Sequence, residues 1–141
     1  MSLSFHPDPG DIFVCDYDTG FTPPEMTKKR LCVVITPRLR HRDNLCTVVP
    51  LSTTDPHTVC DYHRRITFDR ELPKPWQGPA KWAKCDMFAT VSFARLTPIG
   101  VGKDQYGKRK YIYPKVTPEQ LKDIREGVLA ALMLQKLTPH L

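Results

Sequence analysis

Gly10-Asp11-Ile12-Phe13-Val14-Cys15-Asp16-Tyr17-Asp18 is followed, after a Pro-rich stretch, by Lys28-Lys29-Arg30-Leu31-Cys32-Val33-Val34-Ile35-Thr36-Pro37 and then by Leu45-Cys46-Thr47-Val48-Val49-Pro50-Leu51-Ser52-Thr53-Thr54. β-Branched and aromatic residues crowd all three segments, so residues 11–18, 30–36 and 45–51 read as three successive strands. An arginine opens the second strand and a hydroxyl cluster closes the third.

Working outward, Arg64-Arg65-Ile66-Thr67-Phe68 suits a short fourth strand. Pro73, Pro75, Gly78 and Pro79 rule out a regular element between residues 70 and 79. Trp76 and Trp82 flank that loop and are expected to pin it to the body. Residues 86–93 alternate: Met87, Ala89, Val91 and Phe93 share one face, with Asp86, Phe88, Thr90 and Ser92 on the other. Phe88 apart, that pattern predicts a half-buried strand. Residues 103–113, basic and tyrosine-rich, suit a hairpin arm or an ordered loop.

The last element reads as a helix. Thr117 is its N-cap, Pro118 its first residue, and Gln120 completes a capping box. Leu121, Ile124, Val128 and Leu132 follow with nearly helical spacing until Thr138-Pro139 stops the run. About 20 residues at 1.5 Å each predict a helix roughly 30 Å long. Leu129, Met133 and Leu137 widen its apolar face beyond one core contact, and the surplus suits a dimer contact. Short strands closed by a C-terminal helix predict a mainly β (α+β) chain, built as a small curved sheet or barrel.

The 141 residues, of which 40% are hydrophobic, suit one domain over residues 1–141 with a core that needs no disulfide or metal. No apolar run approaches the roughly 20 residues that cross a bilayer. Met1 to Pro9 has polar and proline residues where a signal peptide needs an apolar stretch. A cytoplasmic protein without a membrane partner is expected. The net charge of +6 favours a polyanionic partner, either nucleic acid or an acidic protein segment. Five cysteines, with no Cys-x-x-Cys pair, read as reduced thiols, Cys15, Cys32 and Cys46 within apolar strands. Cys60 and His63 lack a second ligand pair with zinc spacing.

The ordered set of three segments resembles the N-terminal half of the PemK/MazF toxins, small ribonucleases of toxin–antitoxin systems; a YifN-like member is one form the resemblance can take. Those families read Gly-Asp-aliphatic, a Val-Asp-Phe-Asp-like strand end, Arg-Pro-Ala-Val-Val-Leu-Ser-Pro, then Val-Pro-x-Thr-Ser/Thr. The resemblance implies the SH3-like small barrel of the CcdB/MazF/PemK toxins, a homodimer, and metal-independent cleavage of single-stranded RNA with no cofactor. It also implies neutralisation by a cognate acidic antitoxin, and contact with operator DNA only in company with that antitoxin.

RNA is cut without a metal when its own 2′-hydroxyl attacks the adjacent phosphate. The protein must then help remove a proton, stabilise a dianionic phosphorane and protonate the leaving 5′-oxygen. The resemblance assigns Arg30 to the active centre, and an arginine fork suits phosphate oxygens. Ser52 falls at the threonine of Val-Pro-x-Thr-Thr, with Thr53 its neighbour; serine keeps the hydroxyl. Some relatives carry Cys-Asp-Gln-x-Arg-Thr-x-Asp on the later strand, whose Arg and Asp join in acid–base chemistry. Here those positions are Ala89 and Ser92, so another group must move the proton. His57, five residues past Ser52, is the candidate, with His63 an alternative. Arg38, Arg40, His41 and Arg42, together with Lys28 and Lys29, are candidate RNA contacts. Asp11, Asp16 and Asp18 read as strand-end and turn acids rather than a metal site. Tyr106, Tyr111 and Tyr113 among Lys108-Arg109-Lys110 either stack bases or pack beneath a basic hairpin. The Ala89 and Ser92 departures leave a second class open: a non-catalytic module that binds nucleic acid or an acidic partner. A topoisomerase-poisoning toxin is a third, which the Arg30 and Ser52 motif disfavours.

Overall fold

The computed structural model describes residues 3–141. β1 (Ile12–Asp16), β2 (Lys29–Val34) and β3 (Leu45–Ser52) form where the sequence predicts them. β4 (His63–Thr67), β5 (Ala80–Lys84), β6 (Ala89–Ser92) and β7 (Leu96–Thr97) complete an antiparallel sheet. Its order is β4-β5-β3-β2-β1-β7, with β6 on β3. β8 (Ile99–Lys103) and β9 (Arg109–Ile112) make a separate hairpin, the arm expected at 103–113. Helix α1 (Pro118–Ala131) follows.

The central strands are apolar on both faces because both are covered. Ile12, Val14, Leu31, Val33, Val49 and Leu51 face one cluster, which Ile124 of α1 joins with Ile66, Ala83 and Cys85. Phe13, Cys15, Cys32, Val34, Cys46 and Val48 face a second, with Val91, Phe93 and Leu96. The period-2 alternation thus separates two cores rather than a core from solvent. All five cysteines are free, and all but Cys60 are buried.

Three expectations need correction. Residues 80–84 form β5, so Trp82 is a strand residue rather than a loop anchor; Trp76 does pack partly buried against the core. The strand expected over 86–93 is shorter, because Cys85–Met87 is a 3-10 turn before β6. The interruption has a visible register. β6 pairs β3 from Leu45↔Ser92 to Val48↔Ala89, whereas β5 resumes at Leu51↔Ala83, so the turn inserts extra residues opposite Val49 and Pro50. Pro50 has no N–H to offer a ladder, and a bulge-like break suits its neighbourhood. The predicted alternation survives within the shorter element, where Val91 is buried and Thr90 and Ser92 exposed, and Phe93, just past its end, is buried too.

The helix is the third. It has 14 residues rather than about 20, with the predicted Thr117–Gln120 capping box at its start. It ends well before Thr138-Pro139, which lies within a 3-10 turn over Gln135–His140. Met133, at φ 60°, reverses the chain. Met133 N–H donates to the Ala130 carbonyl at 3.0 Å and Leu134 N–H to Leu129 at 2.8 Å, the paired bonds of a Schellman stop.

Candidate active site

The pairing of strands assembles a row of side chains on one face of the sheet. Arg65 of β4 opposes Trp82 of β5, and Trp82 opposes Ser52 of β3. Cys15 of β1 opposes Arg30 of β2. The β2–β3 register is fixed by Cys32↔Pro50, Val33↔Val49 and Val34↔Val48. Arg30 and Ser52 each lie two residues past the last pair of that ladder, Cys32↔Pro50, at the same end of the two strands. Arg30 and Ser52 therefore come from two strands at one end of the sheet.

Arg30 is half-buried, and its Nε–H donates to the Thr27 carbonyl at 3.1 Å. That bond fixes the guanidinium while its two terminal nitrogens have no hydrogen-bond or ion-pair partner among the described residues. A planar fork with free terminal N–H groups can hold two phosphate oxygens. Ser52 is buried at 6% exposure. Its Oγ accepts the Thr54 N–H at 3.1 Å, which leaves the hydroxyl proton to donate. Thr53 lies just beyond the end of β3 and is exposed.

His57 is exposed in the β3–β4 loop and has no hydrogen bond among the described residues. His63 is the histidine on the site face. Cys60 N–H donates to its Nδ1 at 2.9 Å, so the neutral ring carries its proton on Nε2. Burial, then the charge of Lys84, pulls its pKa down, and Asp86 opposes this. The Cys60 backbone occupies the nitrogen lone pair that a zinc ion would need. Sequence reasoning left Arg65, Trp82 and Lys84 out of the site; only the β4–β5–β3 pairing brings them to it.

Lys28 and Lys29 are exposed and directly precede Arg30. The loop with Arg38, Arg40, His41 and Arg42 is exposed too, but it joins the other ends of β2 and β3. Four residue steps along β2, roughly 13 Å, take the chain from Arg30 to Val34 before that loop begins. These arginines and Arg30 thus form two patches rather than one cluster. Within the loop, Arg38 pairs with Asp43 at 3.4 Å, and His41 has φ 63°. Ala89 and Ser92 oppose Val48 and Leu45, away from Ser52. Ser92 Oγ accepts the Ala94 N–H at 3.1 Å.

The acids have local tasks. Asp11 accepts the Asp8 N–H at 2.8 Å and pairs with Lys115 at 2.7 Å. Asp16 accepts the Asp18 N–H at 2.8 Å, a turn bond. Among the described residues, no group of three or more His, Cys, Asp or Glu could hold a metal ion. Tyr106 is 85% exposed at the tip of the β8–β9 hairpin rather than packed beneath it.

The profile of the family described as "PemK-like, MazF-like toxin of type II toxin-antitoxin system" matches residues 8–130. The YifN protein of Escherichia coli (strain K12) is 27% identical over 94% of this chain and 95% of its own length. A Haemophilus influenzae protein is 33% identical over 68% of this chain and 73% of its own. Among solved structures, a mycobacterial endoribonuclease in complex with its cognate antitoxin superposes with a TM-score of 0.60 at 18% identity, over 92% of this chain and 97% of that one. MazF from Deinococcus radiodurans gives 0.59 at 13% identity, over 92% and 99%. At such identities the superpositions speak for a shared fold, the small SH3-like barrel with its C-terminal helix.

Proposed function

Because this chain belongs to the PemK-like, MazF-like toxins of type II toxin–antitoxin systems, we propose that it is a metal-independent endoribonuclease that cuts single-stranded RNA through attack by the substrate's own 2′-hydroxyl. The Arg30–Ser52 relationship carries this reading: a tethered guanidinium with free terminal nitrogens, at the same strand end as a hydroxyl with a proton to donate. Arg30 binds the scissile phosphate and stabilises the charge that grows on the phosphorane. Ser52 donates to a non-bridging oxygen and orients it, with Thr53 beside it at the strand end. His57 is proposed to move the proton, its exposed loop closing on the bound strand. Lys28 and Lys29 extend the phosphate contacts next to the scissile bond; Arg38, Arg40, His41 and Arg42 form a second, more distant patch.

The partner proposed to silence this site is an acidic antitoxin segment, which would order itself on the same basic surface; contact with operator DNA belongs to that toxin–antitoxin complex. The cytoplasm is the proposed location. A homodimer is proposed as well, supported by Leu132, Met133, Leu137 and Leu141, which remain 41–79% exposed at the C-terminal end. Incubating the purified protein with structured and unstructured RNA, with and without EDTA, tests the reaction. Cleavage of the unstructured RNA alone, unaffected by EDTA, is expected. No cleavage of any RNA would favour a binding module on the same barrel, the reading that Ala89 and Ser92 keep open.

A further inference from the structure

We propose that the indole of Trp82 is a stacking platform for a nucleobase, placed one strand away from Ser52 and two from Arg30. The proposal rests on the endoribonuclease reading for its substrate, single-stranded RNA, and adds to it a base-binding subsite.

The strand pattern first separates Trp82 from the core. Ala83 is fully buried in the helix-side cluster, and Lys81 is 2% exposed on the same face. Trp82 therefore stands on the opposite face of β5, half-buried, with Arg65 and Ser52 directly across from it on either side. A tryptophan held for core packing would be ringed by aliphatic side chains. This one meets Arg65, His63 and Asp55, with Ser52 opposite it on β3.

Its geometry is also fixed. Indole Nε1–H donates to Asp55 Oδ1 at 2.8 Å, and Asp55 lies three residues past Ser52 in the loop that follows β3. Arg65 Cζ lies over one face of the ring, 5.6 Å from its centroid, so a base would stack on the other face. The His63 ring meets it edge-on, at 6.5 Å and 81°, and is itself held by the Cys60 N–H. The ring is thus oriented before any ligand arrives, which lowers the ordering cost of stacking a base on it. An aromatic face among cations is the chemistry that takes a nucleobase and its flanking phosphates together. The groups that meet this ring, Arg65, His63 and Asp55, are all polar or charged, and such surroundings favour RNA over an apolar protein segment.

The chain has two tryptophans, Trp76 and Trp82, so Trp76→Phe leaves Trp82 as sole reporter. That variant is titrated with a random-sequence, 2′-fluoro single-stranded oligonucleotide, which lacks the attacking hydroxyl and stays intact. Binding is followed by anisotropy of a dye on the oligonucleotide, and Trp82 by its own emission. Quenching that tracks binding is expected. Trp82→Leu is expected to weaken binding about 5- to 150-fold, the span of one lost base–aromatic stack. Trp82→Phe, which keeps a ring but loses the bond to Asp55, should retain most of the affinity. Binding without quenching, equal losses from Phe and Leu, or quenching by an acidic peptide but not by the oligonucleotide would overturn the platform. Because the oligonucleotide cannot be cut, a protein that quenches on binding yet never cleaves RNA would defeat the endoribonuclease reading and leave the platform standing. Cleavage without quenching would do the reverse, and no binding at all would count against both.

Discussion

A Cβ placed on Gly127 of α1 would lie 2.6 Å from Cys85 Sγ. The helix and the 3-10 turn between β5 and β6 meet there with no side chain between them, and Arg64 Cγ and Cys85 Cβ would stand at only 3.0 Å. Ile124 and Ala130 are buried beside this contact, so the glycine sets how closely the helix seats on the sheet.

Gly127→Ala is therefore expected to destabilise the fold, although alanine is the better helix former. Overpacking of this kind costs about 1–3 kcal/mol, against about 1 kcal/mol returned by propensity. The melting temperature should fall by several degrees. A rise would mean that the helix can shift away without loss.

Met133→Gly should do the opposite. Met133 holds a left-handed φ of 60° at the helix stop and is 79% exposed, so it bears backbone strain and gives little packing in return. Glycine removes that strain, and a gain of about 1 kcal/mol in urea unfolding is expected. A loss of stability would show that the methionine side chain makes a contact worth more than the strain, as in a dimer.

Alkaline pH should weaken the fold through its buried thiols. Burial pushes Cys46 and Cys85 up to about 12, whereas an unfolded thiol titrates near 8.5. The folded state then holds protons that the unfolded state has released. The stabilisation is complete below about pH 8.5 and is lost as pH rises toward the folded value, by up to ~1.4 kcal/mol per pH unit for each thiol. Cys46→Ala should lower stability at pH 7.5 yet flatten its decline between pH 8.5 and 10. An unchanged slope would show that Cys46 does not contribute to the alkaline loss.

The parts of this fold that were legible in the sequence are those with a local signal. β1, β2 and β3 carry β-branched runs, and the capping box starts α1 where expected. β5 reads Ala-Lys-Trp-Ala-Lys, with no β-branched residue, and exists because β3 and β4 pair with it on both sides. The helix stop was hidden because the residue at positive φ is methionine, where glycine or asparagine would have marked it. At the candidate site, Arg30 and Ser52 were proposed from a motif, and both fall at the same end of β2 and β3. Arg65, Trp82 and His63 reach the same face only through strand pairing between residues up to 30 positions apart, which no local pattern announces. The split between Arg30 and the Arg38–Arg42 loop was likewise invisible until the strand directions were known.

His57→Gln probes the proton-transfer role. A positioned acid or base is worth about 10²–10⁴-fold, so cleavage should drop by that range and one limb of the pH–rate profile should vanish. Wild-type rates at every pH would leave His57 a surface residue and move attention to His63, whose Nε2–H faces outward from the Cys60 bond as a donor rather than a base.

In the proposed reaction the RNA supplies its own nucleophile while Arg30 stabilises the phosphorane. Arg30→Ala is expected to reduce cleavage roughly 10²–10³-fold, by analogy with a lost oxyanion donor, with Lys recovering only part because a point charge lacks the bidentate fork. The most direct measurement is cleavage of an oligoribonucleotide that carries one 2′-deoxy sugar at the mapped cut site, in EDTA, beside its all-ribose twin. The all-ribose strand is expected to yield a 2′,3′-cyclic phosphate or its opened product, and the deoxy strand to stay whole at that position. Cleavage of the deoxy strand at the same bond would contradict that reaction.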